Sequence, residues 1–473
     1  MGSATRQVAA FAAGLTYEVI PPGTRVRMKR HLLDSLGCGI YGTTLEHCQA
    51  LVRVVEAMRG REEATVLGTG LRTSSVHAAL ANGTLISGFE LDDVGVYVHP
   101  GACVVAAGLA AAERHGGVGG KRLLTALVIG YEVAVRVAEC VGPLAELEVG
   151  WHTPPFHGAL AAAACAGHVM GLTEEEMLRA ISVAADVAGG GLMSARYGSD
   201  VKRLHCGRGA EGGVLAALLG RNGFTGTPDV LERDPWGYCS TLSYTGAGRR
   251  NYELAKLTDG LGTTFIGLDR MAIKYYPIGG DQHSIVENIL ALRREHAIAP
   301  ERVAKVTIGV TRFAFQNKLR TPAENATTAN FSARYSAAMA LTHDMPPLSE
   351  SPLLLTLWPE KYKDPAIVAL QGRIEEVVDE ELDRQNPYSV DTRVVVHLED
   401  GRQLRRSTEW VRDAPSHGTI WLRQLSDGEV ERKFRHLAGT VLRSDRVDEL
   451  VTAVGELEAV SDVRRLARLA TRE

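Results

Sequence analysis

Four stretches of the chain gather side chains that can move protons or grip anions. The first runs Gly88-Phe-Glu90-Leu-Asp92-Asp93, then Val94-Gly-Val-Tyr-Val, then His99-Pro100-Gly101. Carboxylates followed by a histidine on a Pro-Gly turn suit general acid–base work, because imidazole titrates near neutral pH. Taken alone, a polar helix end with a solvent-facing histidine is the plainer interpretation. The second stretch is Gly150-Trp151-His152-Thr-Pro-Pro-Phe-His157-Gly158, leading into an alanine-rich helix over residues 159–167. A loop entering a helix offers unpaired N–H groups and a positive dipole end to a carboxylate. Two histidines there could add a proton donor, although His157 could equally cap or pack at the turn.

The third stretch is Lys202-Arg203-Leu-His205-Cys-Gly-Arg208-Gly-Ala-Glu-Gly-Gly213, basic residues ahead of a small-residue helix over 214–219. Lys202 and Arg208 could hold carboxylates, the arginine in a bidentate manner. Glycines for close helix packing, flanked by exposed cations, explain the string equally well. The fourth is Arg270-Met-Ala-Ile-Lys274-Tyr-Tyr-Pro-Ile-Gly-Gly-Asp-Gln-His283, a loop shaped by proline and paired glycines, with a helix over 284–293. No HExxH, GxSxG, P-loop or dinucleotide fingerprint occurs. The seven cysteines form no CxxC pair and are odd in number, so neither a disulfide framework nor a metal cluster is expected, and a reducing cytoplasm is. The pattern fits metal-free proton transfer on a small anionic substrate without selecting the reaction.

The elements that must position these groups are mostly helical. The chain has 473 residues, 45% of them hydrophobic, enough for a large core and more than one domain. A net charge of -4 gives no reason to expect nucleic acid or an anionic membrane as partner. No apolar run is long and uncharged enough to span a bilayer, and the patch over residues 8–15 is a poor signal peptide. Helical spacing recurs over residues 25–40, with Gly37–Gly39 weakening the end, then over 73–91 and 102–115. Thr173 and Glu176 form a capping box ahead of a helix over 177–188, stopped by Gly189–Gly191. Thr227-Pro228 reads as another helix start.

Past Met271 the character changes. Residues 302–310 alternate like a strand, and 392–398, Glu399-Asp400-Gly401 and 402–407 read as a hairpin. The acidic stretch 375–382 reads as a solvated helix face, and helix returns after about 425, over 448–460. The expected fold is mainly α: a large helical domain from residues 1–268 and 409–473, and a smaller α+β domain over 269–408.

Taken in order, these segments resemble the MmgE/PrpD family over nearly the whole chain. The likeness rests on Asn82-Gly83 into Glu90-Leu-Asp-Asp93, His99-Pro100-Gly101, Gly130-Tyr131-Glu132-Val133 and Gly150-Trp151-His152. It continues through Lys202 with Leu204-His205-Cys206-Gly207, Lys274-Tyr-Tyr-Pro to His283, and Pro322…Phe331-Ser332…Tyr335. The resemblance implies a homodimer with an α+β lid, and catalysis without metal or organic cofactor on small di- or tricarboxylates. Members dehydrate 2-methylcitrate, decarboxylate cis-aconitate or epimerise iminodisuccinate; each reaction stabilises charge beside a carboxylate and moves a proton at that carbon.

Carried over by position, His99, His152, Lys202 and His283 are the implied catalytic groups, with His283 completing the site from the lid. Glu90, Asp93, His157, Arg208 and Lys274 are the expected substrate-binding set, and Asp92 or Asp93 would orient one histidine. Glu90 stands where decarboxylase-type members place an aspartate, and Val94 where they place a hydroxyl residue. Pro155-Phe156-His157 replaces the usual small residues. These departures imply a divergent substrate. The expected activity is a dehydratase-type lyase, with epimerase and decarboxylase as alternatives. A catalytically silent helical scaffold is the contrasting possibility, distinguished by whether these residues share one buried site.

Overall fold

The computed structural model describes residues 3–472, apart from 96, 148, 188, 245–247, 249, 318–322, 386–388 and 409–421. Pro322 and the expected boundary at 409 therefore lie outside the described residues. The chain divides into two units. One comprises Met1–Leu192, Val201–Ile273 and Leu425–Glu473; the other comprises Met193–Asp200 and Lys274–Gln424.

The first unit is a stack of helices around an Ala/Val/Leu core. Helix α1 (Pro22–Gly42) starts on a proline, whose missing N–H costs nothing in the first turn, and runs through the buried Gly37 and Gly39 to Gly42. Helix α2 (Ser75–Ile86) is N-capped by Ser74 and leads to the short strand β1 (Asp93–Gly95). A π turn over Gly101–Val105 precedes α3 (Ala106–His115), followed by the buried α4 (Gly120–Val141). Helix α5 (Thr153–Met170) has both prolines in its first turn and ends on the left-handed Gly171. Thr173 and Glu176 exchange capping bonds, backbone N to Oε2 at 2.8 Å and backbone N to Oγ1 at 3.3 Å, ahead of α6 (Glu174–Val187). Helix α7 (Val201–Arg221) packs on α2, α5 and α6. Strand β2 (Met271–Ile273) pairs antiparallel with β1, Val94 opposite Ala272.

Two expectations fail in this unit. Thr227-Pro228 opens a series of turns instead of a helix. Pro235 and Gly237 follow too closely for a helix to propagate, and the backbone folds back so that Tyr238 N bonds Val230 O at 2.7 Å. The helix expected to begin near 214 begins at Val201, which places Lys202, Arg203 and Arg208 on the helix itself.

In the second unit, α8 (His283–His296) and α9 (Ala333–Thr342) pack together beside a four-stranded sheet. Its strands are β3 (Val303–Val310), β4 (Ile374–Val378), β5 (Thr392–Leu398) and β6 (Gln403–Ser407), in the order β4-β3-β5-β6. β4 is parallel to β3; the other pairs are antiparallel, and the β5–β6 hairpin turns on Gly401 with φ +85. The acidic stretch expected as a helix thus supplies a strand. Ile374, Val377 and Val378 favour an extended chain, and Glu375 on β4 pairs with Lys305 on β3 at 2.6 Å. Helix resumes only at Glu380–Gln385.

The chain then returns to the first unit. A capping box of Ser426 and Glu429 starts the helix Asp427–Ala438, which packs on α1; Ser444–Gly455 follows, ending short of the expected residue 460. Among the described residues, no helix is long and apolar enough to cross a membrane.

Candidate active site

The segment after α2 carries Glu90 in a left-handed conformation, φ +60, unusual for a residue with a side chain. There its carboxylate accepts from Lys202 Nζ at 2.6 Å and from the Arg203 guanidinium. All three side chains are buried. Ser87 Oγ donates to Arg203 O at 3.0 Å, tying the end of α2 to the start of α7.

Asp92 and Asp93 divide their work. His99 Nδ1 lies 3.0 Å from Asp92 Oδ2 and 2.9 Å from the carbonyl oxygen of Asp93. A carbonyl can only accept, so Nδ1 carries the proton. The Asp93 carboxylate faces elsewhere: it takes His31 Nδ1 at 2.7 Å, Tyr131 Oη at 2.6 Å and Gly101 N at 2.9 Å. It braces the turn bearing His99, which accounts for an acidic residue buried at 0% exposure. Burial, with the Asp93 carboxylate next, raises the Tyr131 hydroxyl well above its ordinary range, so this tyrosine stays a donor.

His152 precedes α5 and is held by its backbone N–H, which bonds Gly190 O at 2.9 Å. Its Nδ1 meets His205 Nδ1 at 2.9 Å, both rings buried. Burial depresses the basicity of His152 well below the usual imidazole range; Lys202, His205 and His99 depress it further, and Glu90 partly offsets them. Burial and Lys202 likewise lower His205 to about 4. These electrostatic couplings place Glu90, His99, His152, Lys202 and His205 in one neighbourhood.

Two expected ligands lie apart from it. Arg208 is exposed and pairs with Glu211. With α7 beginning at Val201, Arg208 sits about 240° around the helix from Lys202. His157 is inside α5, fully buried, with Nδ1 2.8 Å from Tyr238 Oη, and burial lowers it to about 3. It is a core histidine. Conversely, Arg203 and His205 belong to the cluster although sequence assigned them no role; their adjacency to Lys202 is the signal that could have marked them.

Lys274 and His283 lie in the second unit and are both fully buried. His283 packs between Tyr275 and Tyr276, ring centroids 4.6 and 5.2 Å away. Asn330 O accepts from Gly279 N at 2.9 Å and from Gln282 Nε2 at 3.3 Å, and Ser336 Oγ donates to Gln282 Oε1 at 2.7 Å. The Phe331-Ser332…Tyr335 region therefore shapes the loop that presents His283. Among the described residues, no group of three or more His, Cys, Asp or Glu is arranged to hold a metal.

Comparison with known proteins gives matches along most of the chain. The MmgE/PrpD N-terminal domain matches residues 6–247 and the MmgE/PrpD C-terminal domain residues 276–458. A cis-aconitate decarboxylase-like protein of Aspergillus oryzae is 27% identical, covering 100% of this chain and 98% of its own. The cis-aconitate decarboxylase of Aspergillus terreus is 26% identical over 98% of this chain and 95% of its own. The 2-methylcitrate dehydratase of Cupriavidus necator is 29% identical over 45% of this chain and 46% of its own.

Proposed function

The chain belongs to the MmgE/PrpD family, and from that footing we propose that it is a lyase acting on a small polycarboxylate. The reaction moves a proton at a carbon next to a carboxylate and needs neither metal nor organic cofactor. The observation that carries this reading is one buried neighbourhood holding an ammonium, a guanidinium and two differently wired histidines.

Lys202, with Arg203 behind it, supplies fixed positive charge for a substrate carboxylate and for the negative charge that develops beside it. His99, held at Nδ1 by the Asp93 carbonyl and beside Asp92, serves as base in its neutral form. His152 supplies the proton donor. In a decarboxylation the bond to the departing carboxylate breaks, its electron pair stays on the α-carbon, and a proton from histidine fills that position. In an elimination, His99 takes the α-proton and the donor protonates the leaving hydroxyl. Loss of carbon dioxide has the wider support, because the relatives named as decarboxylases match the whole chain. Loss of water is the second reading, supported by relatives matched over about half of it.

Proton NMR in D₂O with 2-methylcitrate, cis-aconitate, iminodisuccinate and related acids separates the reactions. Loss of carbon dioxide, loss of water, or deuterium entry beside a carboxylate is the expected outcome. Folded protein that leaves every acid unchanged, with no exchange, would sink the proposal. Lys202→Ala and His152→Ala are each expected to lower turnover about 10²–10⁴-fold. Undiminished turnover in either would remove that residue from the scheme.

A further inference from the structure

The contact between His152 and His205 carries more than burial of two rings. The two Nδ1 atoms face each other at 2.9 Å with the ring planes 40° apart. Among the described residues, neither ring makes another hydrogen bond. Two N–H groups would clash at that distance and two lone pairs would repel, so the pair holds one proton between its facing nitrogens.

The backbone enforces the meeting. Residues Gly150–His152 pair with Gly190–Leu192: Trp151 bridges Gly191, Leu192 N bonds Gly150 O at 2.9 Å, and His152 N bonds Gly190 O at 2.9 Å. The His205 ring lies flat on Gly190, where an added Cβ would sit 3.0 Å from Cε1 and 3.1 Å from both Cδ2 and Nδ1. Gly190 is thus a floor for His205, within the run of three glycines that follows α6.

We propose that His205 is a positioning residue that donates its Nδ1–H to His152 Nδ1, so that His152 carries its own proton on Nε2 and acts as a neutral proton donor. The catalytic meaning of this assignment rests on the lyase reading above. His99 donates its Nδ1–H to the Asp93 carbonyl, so in its neutral form it can only accept at Nε2. The complementary donor is then His152. Neutral imidazole can fill that role where the surroundings disfavour imidazolium, as burial and then the Lys202 ammonium do here. In the step, the Nε2–H bond of His152 breaks and a C–H bond forms at the substrate carbanion. The electron pair left on the ring is held next to the Lys202 ammonium until solvent returns a proton.

Nitrogen NMR on protein labelled at histidine, without substrate, reads the tautomers directly. Resonances are assigned by loss in His152→Gln and His205→Asn. The expected result at neutral pH is His152 protonated at Nε2 and His205 at Nδ1; a His152 protonated at Nδ1 overturns the proposal. In turnover, His205→Ala is expected to lower kcat about 10–100-fold with KM changed less than threefold, the size of effect a misaligned catalytic group gives. His205→Asn, whose amide N–H can reach the same place, is expected to recover most of the loss. Wild-type kcat in His205→Ala overturns the role. Gly190→Ala, which presses on the His205 ring, is expected to shift the same His152 resonance; an unmoved resonance contradicts the assigned contact. Should no acid be turned over, the tautomers in the unliganded protein still decide this proposal, and only the lyase reading fails.

Discussion

His99, His152 and Lys202 were legible as candidates because few residue types titrate or hold anions, and loops beside small-residue helices concentrate them. Their wiring was not legible. Asp92 and Asp93 are adjacent and chemically identical in the sequence, yet one orients His99 and the other braces Tyr131, His31 and Gly101. The two histidines of the second stretch separate just as sharply, His152 meeting His205 and His157 meeting Tyr238. A test follows from His157, which burial lowers to about 3. Its folded value lies below its unfolded one, so the stability it contributes is present above pH 6.5 and is lost as pH falls toward 3. Each pH unit in that window costs about 1.4 kcal/mol. Urea titrations at several pH values should show a slope in this window that is shallower in His157→Gln than in the parent by that amount, the rest coming from His152 and His205. An unchanged slope would contradict the buried, neutral histidine.

Among the elements, α7 decides the most. It delivers Lys202, Arg203 and His205 within four residues, and it can do so because it crosses α2 at backbone distance. Gly83 on α2 faces Gly207 on α7: a Cβ on Gly207 would lie 2.2 Å from Thr84 Oγ1 and 2.4 Å from Leu80 O. Gly207→Ala is therefore expected to push the helices apart, costing about 1–3 kcal/mol of stability. Turnover should fall as well, because Lys202 and His205 move with α7 while Glu90 stays with α2. A thermal melt and an activity assay on the same sample check both; wild-type values in each would show that the helices tolerate the methyl. Taking the helix to begin near residue 214 put Arg208 within expected reach of substrate. Their actual use as a helix crossing carries Arg208 to the exposed side. Strand β4 went unread for a related reason: an acidic string on a helix face and on a sheet edge look alike until Lys305 of the neighbouring strand is within reach of Glu375.

At the scale of the molecule, the first unit takes segments from both ends of the chain. Lys433, on the helix Asp427–Ala438, is buried at 0% exposure and reaches Asp34 of α1 at 2.5 Å and the carbonyl of Leu91 at 2.7 Å. The C-terminal segment thereby contacts the backbone one residue before Asp92. Lys433→Met leaves Asp34 buried without its cation, and a loss of about 3–5 kcal/mol is expected. Pairing it with Asp34→Leu should recover part of that loss, because the unpaired charge goes with it. Chemical denaturation of both variants measures the difference, and equal stability of single and double variants would count against the buried pair.

By itself the sequence determined the helical character, the hairpin in the second unit, the capping of α6 and the residue types able to do the chemistry. Periodicity, caps and titratable side chains are local properties, readable within a few residues. The tertiary structure alone decided which acid serves which histidine, that His205 and Arg203 join the cluster, and that Arg208 and His157 stand outside it. Those outcomes depend on contacts between residues as far apart as Glu90 and Lys202. Each hinges on where a helix begins and how closely two backbones approach, which no local pattern specifies.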